Sequence, residues 1–206
     1  MLSIEGFLKY TMTRGRPRKI AAESALESAM NLYWRKGYDA TSLQDLLDET
    51  KLCKSSLYQL FDSKQVLFLK SLDLYQSKLK QTLLHELAES SSGKQFIRDL
   101  FSKTIAEASS DEQKKGCMLA NAANELSQSN QSVAMMVDIG VNNIKTVFIK
   151  AIERDIKSGA LKTSVSTKII AGVLLTNICG LRTMVKAGSN QQMLEEIVTT
   201  TLEILD

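Results

Sequence analysis

The chain has a single proline, Pro17, among its 206 residues. Proline interrupts a helix because it lacks an amide hydrogen and because its ring crowds the preceding turn. The ten glycines are widely spaced, so long segments after residue 19 contain no strong helix breaker. Apolar residues recur in these segments at helical spacing, and the alternating pattern of a strand is not found between turns. The sequence therefore predicts an all-α fold of about nine helices.

The first fifty residues predict two helices. Apolar positions at helical spacing precede Gly37, which suits a helix C-terminus, so the first helix is expected over about 19–36. Thr41 and Gln44 have the spacing of a capping box at the start of a short second helix. This second helix should end near Thr50.

Seven further helices are expected. A third, short helix follows the second, and Asp62 or Ser63 is suited to cap a long fourth helix that the segment 90–93 should end. Five more amphipathic segments follow, at about 94–108, 117–127, 131–157, 165–187 and 190–205.

Positive charge is concentrated near the N-terminus. The net charge of +3 is mild, but eleven consecutive residues carry five basic side chains and no acidic one. Such a cluster suits a partner with a negative surface, such as nucleic acid. The cluster comprises Lys9, Arg14, Arg16, Arg18 and Lys19.

The remaining composition argues against several classes of protein. The three cysteines are far apart, which is typical of a reducing cytoplasm rather than of a disulfide framework or a zinc site. The first twelve residues lack the features of a signal peptide, and Met12 is an alternative start. No apolar run of 18 residues predicts a membrane span. His85 is the only histidine and no nucleophile or phosphate-binding motif occurs, so no enzyme, metal or cofactor is expected.

The first three helices predict a helix-turn-helix, in which the third helix enters the major groove of DNA. Such a helix needs small polar or basic residues at its beginning and apolar anchors behind them. Lys54 begins the third helix, and Leu57 and Phe61, one turn apart, face inward. Tyr58 lies about 100° round the helix from Leu57. Its hydroxyl is therefore expected to contact a phosphate or a base, the alternative being a half-buried packing tyrosine.

The segment TSLQDLLDETKLCKSSLYQLFDSKQVL, preceded by LYWRKGYDA, resembles the DNA-binding domain of the TetR family of bacterial transcriptional regulators. The resemblance implies a flexible extension and basic arm over 1–15, a DNA-binding domain over 16–76 with its motif at about 42–61, and an effector-binding and dimerisation domain over 77–206. It also implies contacts to double-stranded DNA from Thr41, Ser42, Lys54, Ser55, Ser56, Tyr58, Gln59 and Lys64.

The basic cluster fits the same resemblance. An extended unit built on Arg16 and Pro17 is narrow enough for an A·T-rich minor groove, whose negative potential attracts arginine. The alternative is a basic tail that serves solubility. The residues expected to contact DNA from this segment are Arg14, Arg16, Arg18 and Lys19.

Two departures from the family pattern concern the helix-turn-helix itself. Thr50 and Lys51 stand where the family often has alanine and glycine, so the turn must form without glycine. Cys53 replaces the usual serine before the third helix, and a thiol is a poor N-cap. Neither departure changes the expected fold.

By resemblance, the last two helices of each subunit form the interface of a homodimer. Ordinary intramolecular core is the alternative for the same apolar residues. The residues expected at the interface are Leu174, Leu175, Ile178, Leu181, Met184, Leu194, Ile197, Val198 and Leu202.

The resemblance also implies a pocket for an unidentified small-molecule effector among the middle helices. Its expected lining is Cys117, Met118, Asn121, Asn124, Met135 and Gly180, with plain core packing as the alternative. Cys117 follows two lysines and a glycine at a predicted helix N-terminus, where the dipole lowers the pKa of a thiol. It is therefore also a candidate redox sensor, although a buried structural cysteine explains the same position.

The expected function is a cytoplasmic, homodimeric regulator, a repressor that binds a palindromic operator and responds to an effector, with no membrane partner. The alternative is a helical protein-interaction module that has the same fold without specific DNA binding. A chromosome-organising or activating role remains open within DNA binding.

Overall fold

The computed structural model describes the backbone of residues 15–107 and 115–205, and the side chains from residue 22 onward within those ranges. The described chain is built from nine α-helices and contains no strand. It divides into two compact units, with the boundary between Ser71 and Leu72. The sequence had placed the boundary at residue 76; both positions fall inside the same long helix. The prediction of an all-α fold is confirmed.

In the first unit, helix α1 spans Gly15–Lys36 and begins four residues earlier than predicted. Pro17 allows this because the first amides of a helix have no intrahelical acceptor, so a missing amide hydrogen costs nothing there. Gly37 ends the helix in the left-handed conformation, with its amide bonded to Tyr33 O at 2.8 Å. Ala29 and Tyr33 are buried on the inner face of α1.

Three further helices begin in this unit. Helix α2 spans Leu43–Thr50, helix α3 spans Lys54–Phe61, and helix α4 spans Lys64–Glu89. Ser63 caps α4, since its hydroxyl accepts a hydrogen bond from Val66 N at 3.1 Å. The end of α2 and the cap of α4 agree with the sequence.

The second unit contains the end of α4 and five more helices, with bounds within three residues of those predicted. Helix α7 packs against α5, α6 and α8, and α5 also packs against α8 and α9. A short 3₁₀ turn, Glu203–Leu205, follows the last helix. The five helices are α5 (Gly93–Ala106), α6 (Met118–Leu126), α7 (Gln131–Ser158), α8 (Thr167–Lys186) and α9 (Gln191–Leu202).

The start of α5 lies very close to α7. A Cβ on Gly93 would lie 1.9 Å from Ala151 O, so only glycine fits at this crossing. The buried carboxylate of Asp155 accepts hydrogen bonds from Gly93 N at 2.7 Å and from Lys94 N at 2.6 Å. Asp155 thus supplies two of the amides at the helix start with an acceptor. These contacts fix α5 against α7.

Helices α7 and α8 are long and apolar enough, by length and composition, to cross a membrane. The sequence had indicated no such segment. In the structure each helix buries one face within the second unit, and α7 packs against α8. A core helix has the same length and composition.

Candidate nucleic-acid interface

The start of α2 is held by a capping box formed by Ser42 and Asp45, one residue later than predicted. Ser42 Oγ accepts a hydrogen bond from Asp45 N at 3.1 Å, and Asp45 Oδ2 accepts one from Ser42 N at 2.8 Å. Lys36 Nζ lies 2.9 Å from the same carboxylate. The hydrogen bond from Lys36, followed by those from Ser42, lowers the pKa of Asp45 to about 2.

Thr41 does not belong to the candidate interface. Its side chain is fully buried, and its hydroxyl donates to Gly37 O at 2.6 Å. A buried hydroxyl with an internal acceptor cannot reach a phosphate, so the expected contact from Thr41 is wrong. Ser42, before the start of α2, is exposed, and its expected contact with DNA stays a prediction.

The turn between α2 and α3 forms without glycine, as the sequence required. Lys51 ends α2 in the left-handed conformation at φ 58°. This conformation costs a residue with a Cβ about 1–2 kcal/mol. Thr50 Oγ1 donates to Leu46 O at 2.6 Å inside the same helix end. Lys51 is exposed beside the start of α3.

The N-cap of α3 is Cys53, and its side chain forms no hydrogen bond to a helix amide. Its sulfur lies 3.2 Å from Ser55 Oγ and 3.1 Å from Ser56 Oγ. These hydrogen bonds, from Ser55 first and then Ser56, lower the pKa of the exposed Cys53 thiol to about 7. The weak cap predicted from the sequence is confirmed.

Helix α3 has one buried and one solvent-facing side. Leu57 and Phe61 are buried, as predicted. Tyr58 is half-buried, which leaves both predicted roles for its hydroxyl in place. The expected DNA contacts on this eight-residue helix therefore lie together: Lys54, Ser55 and Gln59 are exposed, and Ser56 is half-buried.

Lys64, at the first position of α4, is held by aromatic residues that sequence reasoning missed. Its Nζ lies 4.2 Å from the ring centroid of Tyr38, a distance typical of a cation–π contact. The hydroxyl of Tyr33 donates to Lys64 O at 3.2 Å. The rings of Tyr33 and Tyr38 both pack against Phe68, at 5.0 and 4.9 Å between centroids. The segment Gly37-Tyr38-Asp39, directly after α1, was the available signal in the sequence for this contact.

The basic segment is only partly described. Arg14 lies outside the described residues, and the side chains of Arg16, Arg18 and Lys19 do as well. Their backbone belongs to the beginning of α1, so the extended conformation predicted around Pro17 is wrong. The helical start follows from the fixed φ of proline, which suits a first turn. Contact of these residues with DNA stays a prediction.

The second unit contains a cavity of about 30 Å³. Leucine and isoleucine side chains of α4, α5, α7 and α8 form its apolar wall. Its polar groups are Cys117, which is the buried N-cap of α6, and Cys179 and Arg182 from α8. Arg182 Nη2 lies 3.4 Å from Glu107 Oε1.

Of the six residues expected to line an effector pocket, Cys117 lines this cavity, and the expected lining stays a prediction. Met118 is buried elsewhere in the core, and Asn121 Nδ2 donates to Lys115 O at 3.1 Å. Asn124, Met135 and Gly180 lie on the exposed sides of their helices. Helical spacing did not reveal which side of α6 and α7 faces inward.

Seven of the nine residues expected at a dimer interface are buried within the chain itself. This corrects the prediction in favour of intramolecular core for Leu174, Leu175, Ile178, Leu181, Leu194, Val198 and Leu202. Met184 and Ile197 are half-buried and remain available.

Apolar side chains also lie on the outer sides of α8 and α9. Ile169 is 59% exposed, and Val173 and Met193 are each 37% exposed. Asn177 of α8 and Ile197 of α9 line one open groove, so the two outer sides are continuous. The α8–α9 surface consists of Ile169, Val173, Met184, Met193 and Ile197.

Both units match known protein families. Residues 25–70 match the model of bacterial regulatory proteins of the tetR family. Residues 93–201, more than half of the chain, match the tetracyclin repressor-like C-terminal domain. The chain belongs to the TetR family. TetR proteins are DNA-binding transcriptional regulators, and the matched residues 25–70 contain the helix-turn-helix of α2 and α3.

Individual TetR relatives agree with this assignment. An uncharacterized HTH-type regulator of Bacillus subtilis, YezE, is 26% identical over 93% of this chain and all of its own length. The transcriptional repressor ComR of Escherichia coli is 32% identical over 59% of each chain. A cysteine mutant of the TetR regulator CifR, solved with 26-base-pair operator DNA, superposes with a TM-score of 0.78 at 24% identity. That structure covers 89% of this chain and 96% of CifR, and the likeness shows the fold.

Proposed function

We propose that this protein is a homodimeric, effector-responsive repressor that binds a palindromic operator through α3. The exposed polar side of α3, held in place by the buried Leu57 and Phe61, is the observation that carries the proposal. A helix of this kind fits the major groove, where base edges are accessible to side chains.

The side chains of α3 divide by chemistry into two groups. Gln59 carries an amide that can bond to the N6 and N7 edge of adenine, so it is proposed to recognise a base. Lys54 and Tyr58 supply a charge and a hydroxyl suited to phosphate oxygens. Lys51 and Lys64 flank the helix and add charge on either side. Phosphate contacts would fix the position of α3, and Gln59 would contribute sequence preference.

Dimerisation is proposed through the α8–α9 surface. Its apolar side chains are exposed in the single chain, and burying them against a second copy would remove them from water. A two-fold dimer presents two copies of α3, which suits half-sites whose centres are about 34–36 Å apart or a multiple of that distance. The proposed operator is therefore a palindrome, and the proposed compartment is the cytoplasm.

An effector is proposed to act through the cavity of the second unit. At about 30 Å³ the cavity holds little more than one water-sized group, whereas pockets for drug-sized ligands measure about 300–1,000 Å³. An effector of ordinary size would therefore bind only if the surrounding helices move apart. Coupling that movement to DNA affinity would make the protein allosteric.

The proposal is tested by a mobility-shift titration with duplexes from the region upstream of the protein's own gene, over a series of salt concentrations. The wild type should bind one duplex tightly, and its affinity should fall steeply with salt. Lys54→Ala should weaken binding and lower the salt slope by about 1 for each lysine lost. Lys150→Ala, an exposed lysine of the second unit, is the matched control.

Two results would contradict this assignment. Equal binding to all duplexes would favour the alternative of a helical interaction module. Unchanged operator affinity in both Lys54→Ala and Tyr58→Phe would exclude α3 as the DNA-contacting helix.

A further inference from the structure

Two cysteines that lie 62 positions apart in sequence meet in the second unit. Cys117 precedes α6 and Cys179 lies in α8, and their side chains form a hydrogen bond to each other. Both thiols line the same cavity. The sequence indicates only Cys117 as a candidate redox sensor, because the spacing of α8 does not show whether the side chain of Cys179 faces inward.

Gly116, directly before Cys117, lies close to α8. Gly116 has φ +71°, and a Cβ added to it would lie 3.2 Å from Lys186 Cδ and 3.7 Å from Arg182 O. Asn121 Nδ2 donates to Lys115 O at 3.1 Å and closes the turn on the other side. Gly116 therefore brings the backbone next to Cys117 close to α8, the helix that carries Cys179.

The surroundings favour a thiolate on Cys117. The hydrogen bond from Cys179 lowers the pKa of Cys117; burial raises it, and amides of the first turn of α6 and the charge of Arg182 lower it further. The same hydrogen bond raises the pKa of Cys179, which therefore keeps its proton. The other polar side chains around the pair are the Tyr75 hydroxyl, 4.0 Å from Cys117 Sγ, and Glu107 behind Arg182. The pair thus combines a nucleophilic thiolate with a neighbouring thiol.

We propose that Cys117 and Cys179 are a peroxide-oxidisable pair that closes into a disulfide within one chain. The Cys117 thiolate attacks hydrogen peroxide, which breaks the O–O bond, forms a sulfenic acid on Cys117 and releases hydroxide. The Cys179 thiol then attacks the sulfenic sulfur and releases water as the S–S bond forms. Two electrons pass from the two sulfurs to one peroxide. The cavity suits this oxidant, because about 10–15 Å³ is enough for one water and the cavity is about 30 Å³.

The disulfide changes the contacts between the start of α6 and α8. The thiol hydrogen bond is lost, and Arg182 no longer has a thiolate beside it. If the cavity transmits an effector signal to the DNA-binding unit, as the proposed function states, oxidation acts on the same helices. This regulatory consequence rests on the proposed function, whereas formation of the disulfide does not.

Disulfide formation is tested by peptide mass spectrometry on the full chain carrying Cys53→Ser. Removing the exposed Cys53 prevents cross-linking between chains through its reactive thiol. After hydrogen peroxide, blocking of free thiols and trypsin, peptide 116–145 should be linked to peptide 169–182, with two hydrogens lost. The link should disappear with dithiothreitol, and it should be absent from Cys117→Ser and from Cys179→Ser. Failure of the linked peptide to form in the folded Cys53→Ser protein would overturn the proposal.

The regulatory consequence has a separate readout. Operator affinity of the Cys53→Ser protein should fall by about 5–150-fold on oxidation, the usual range of allosteric coupling, and return on reduction. An unchanged affinity with the linked peptide present would overturn the regulatory consequence. Failure of the reduced protein to bind any operator would instead contradict the proposed function, and the mass spectra would still decide the disulfide.

Discussion

Helices α3 and α8 differ in how far their outer sides can be recognised from sequence. On α3 the buried residues are apolar and the exposed ones are basic or polar, as in Leu57 beside Lys54. On α8 both sides carry apolar residues: Leu174 is buried and its neighbour Val173 is exposed. A functional side is therefore visible in a sequence when its chemistry differs from that of the core. An apolar interface consists of the same residue types as the core, so the sequence does not distinguish the two.

The largest effect is expected from Val173→Asp, on the outer side of α8. Val173→Asp should place a charge in the proposed dimer interface without disturbing the core, because Val173 is 37% exposed in the single chain. An unpaired charge in an apolar contact is costly, so the protein should become monomeric. Operator affinity should then fall toward non-specific binding, a loss of about a thousandfold or more. Analytical ultracentrifugation and mobility shift measure the two effects.

Ile156→Asp on α7 is the matched control, since Ile156 is also exposed but lies outside the α8–α9 surface. A dimer that survives Val173→Asp at micromolar concentration would show that α8 does not form the interface.

Leu174→Ala tests the buried side of the same helix. Leu174 is fully buried, so its truncation should lower the free energy of unfolding by about 2–5 kcal/mol through lost burial and a cavity. Urea unfolding of the purified protein measures the change. Val173→Ala should cost much less in the folded chain. Equal destabilisation by the two substitutions would remove the distinction between the sides of α8.

Gln59→Ala tests the outer side of α3. If Gln59 bonds to an adenine, its removal should cost about 1–3 kcal/mol at the operator and relax the preference at one symmetric pair of positions. Binding to a panel of duplexes with single base changes measures both effects. Gln65→Ala, an exposed glutamine of α4, serves as the control. A uniform loss across the panel would make Gln59 a phosphate contact.

The smallest expected effect concerns the capping box at the start of α2, the helix before α3. The pKa of Asp45 is lowered to about 2, so its contribution to stability is complete above its ordinary pKa of 3.8 and is lost as the pH falls through 2. Asp45→Asn should therefore destabilise the protein at neutral pH, and the difference from wild type should shrink as the pH falls. Thermal unfolding at several pH values measures it. A difference that grows on acidification would contradict the assigned ion pair with Lys36.

Much of the fold followed from local patterns. Glycines and serine-rich segments ended helices where expected, since these residues act on the backbone of their own turn. The start of α1 did not follow, because proline suits a first turn as well as an extended segment. The capping box also moved from Thr41 to Ser42, since adjacent hydroxyl residues offer the same chemistry.

A candidate site could be predicted well when its residues lie on one helix, and poorly when they come from several helices. Exposed contacts on α3 come from one short helix, and the sequence placed them on its outer side. The cavity is lined by α4, α5, α7, α8 and the N-cap of α6, and the meeting of Cys117 with Cys179 depends on where the start of α6 lies relative to α8. Tyr38 was missed for the same reason, because its contact with Lys64 forms only after α1 and α4 meet.

The most direct test of the central claim is selection of bound sequences from a pool of random duplexes by the wild-type protein. The account predicts one enriched palindrome whose half-site centres are about 34–36 Å apart or a multiple of that distance. Enrichment of no motif, or of a motif without two-fold symmetry, would contradict the claim that two copies of α3 bind the operator as a dimer.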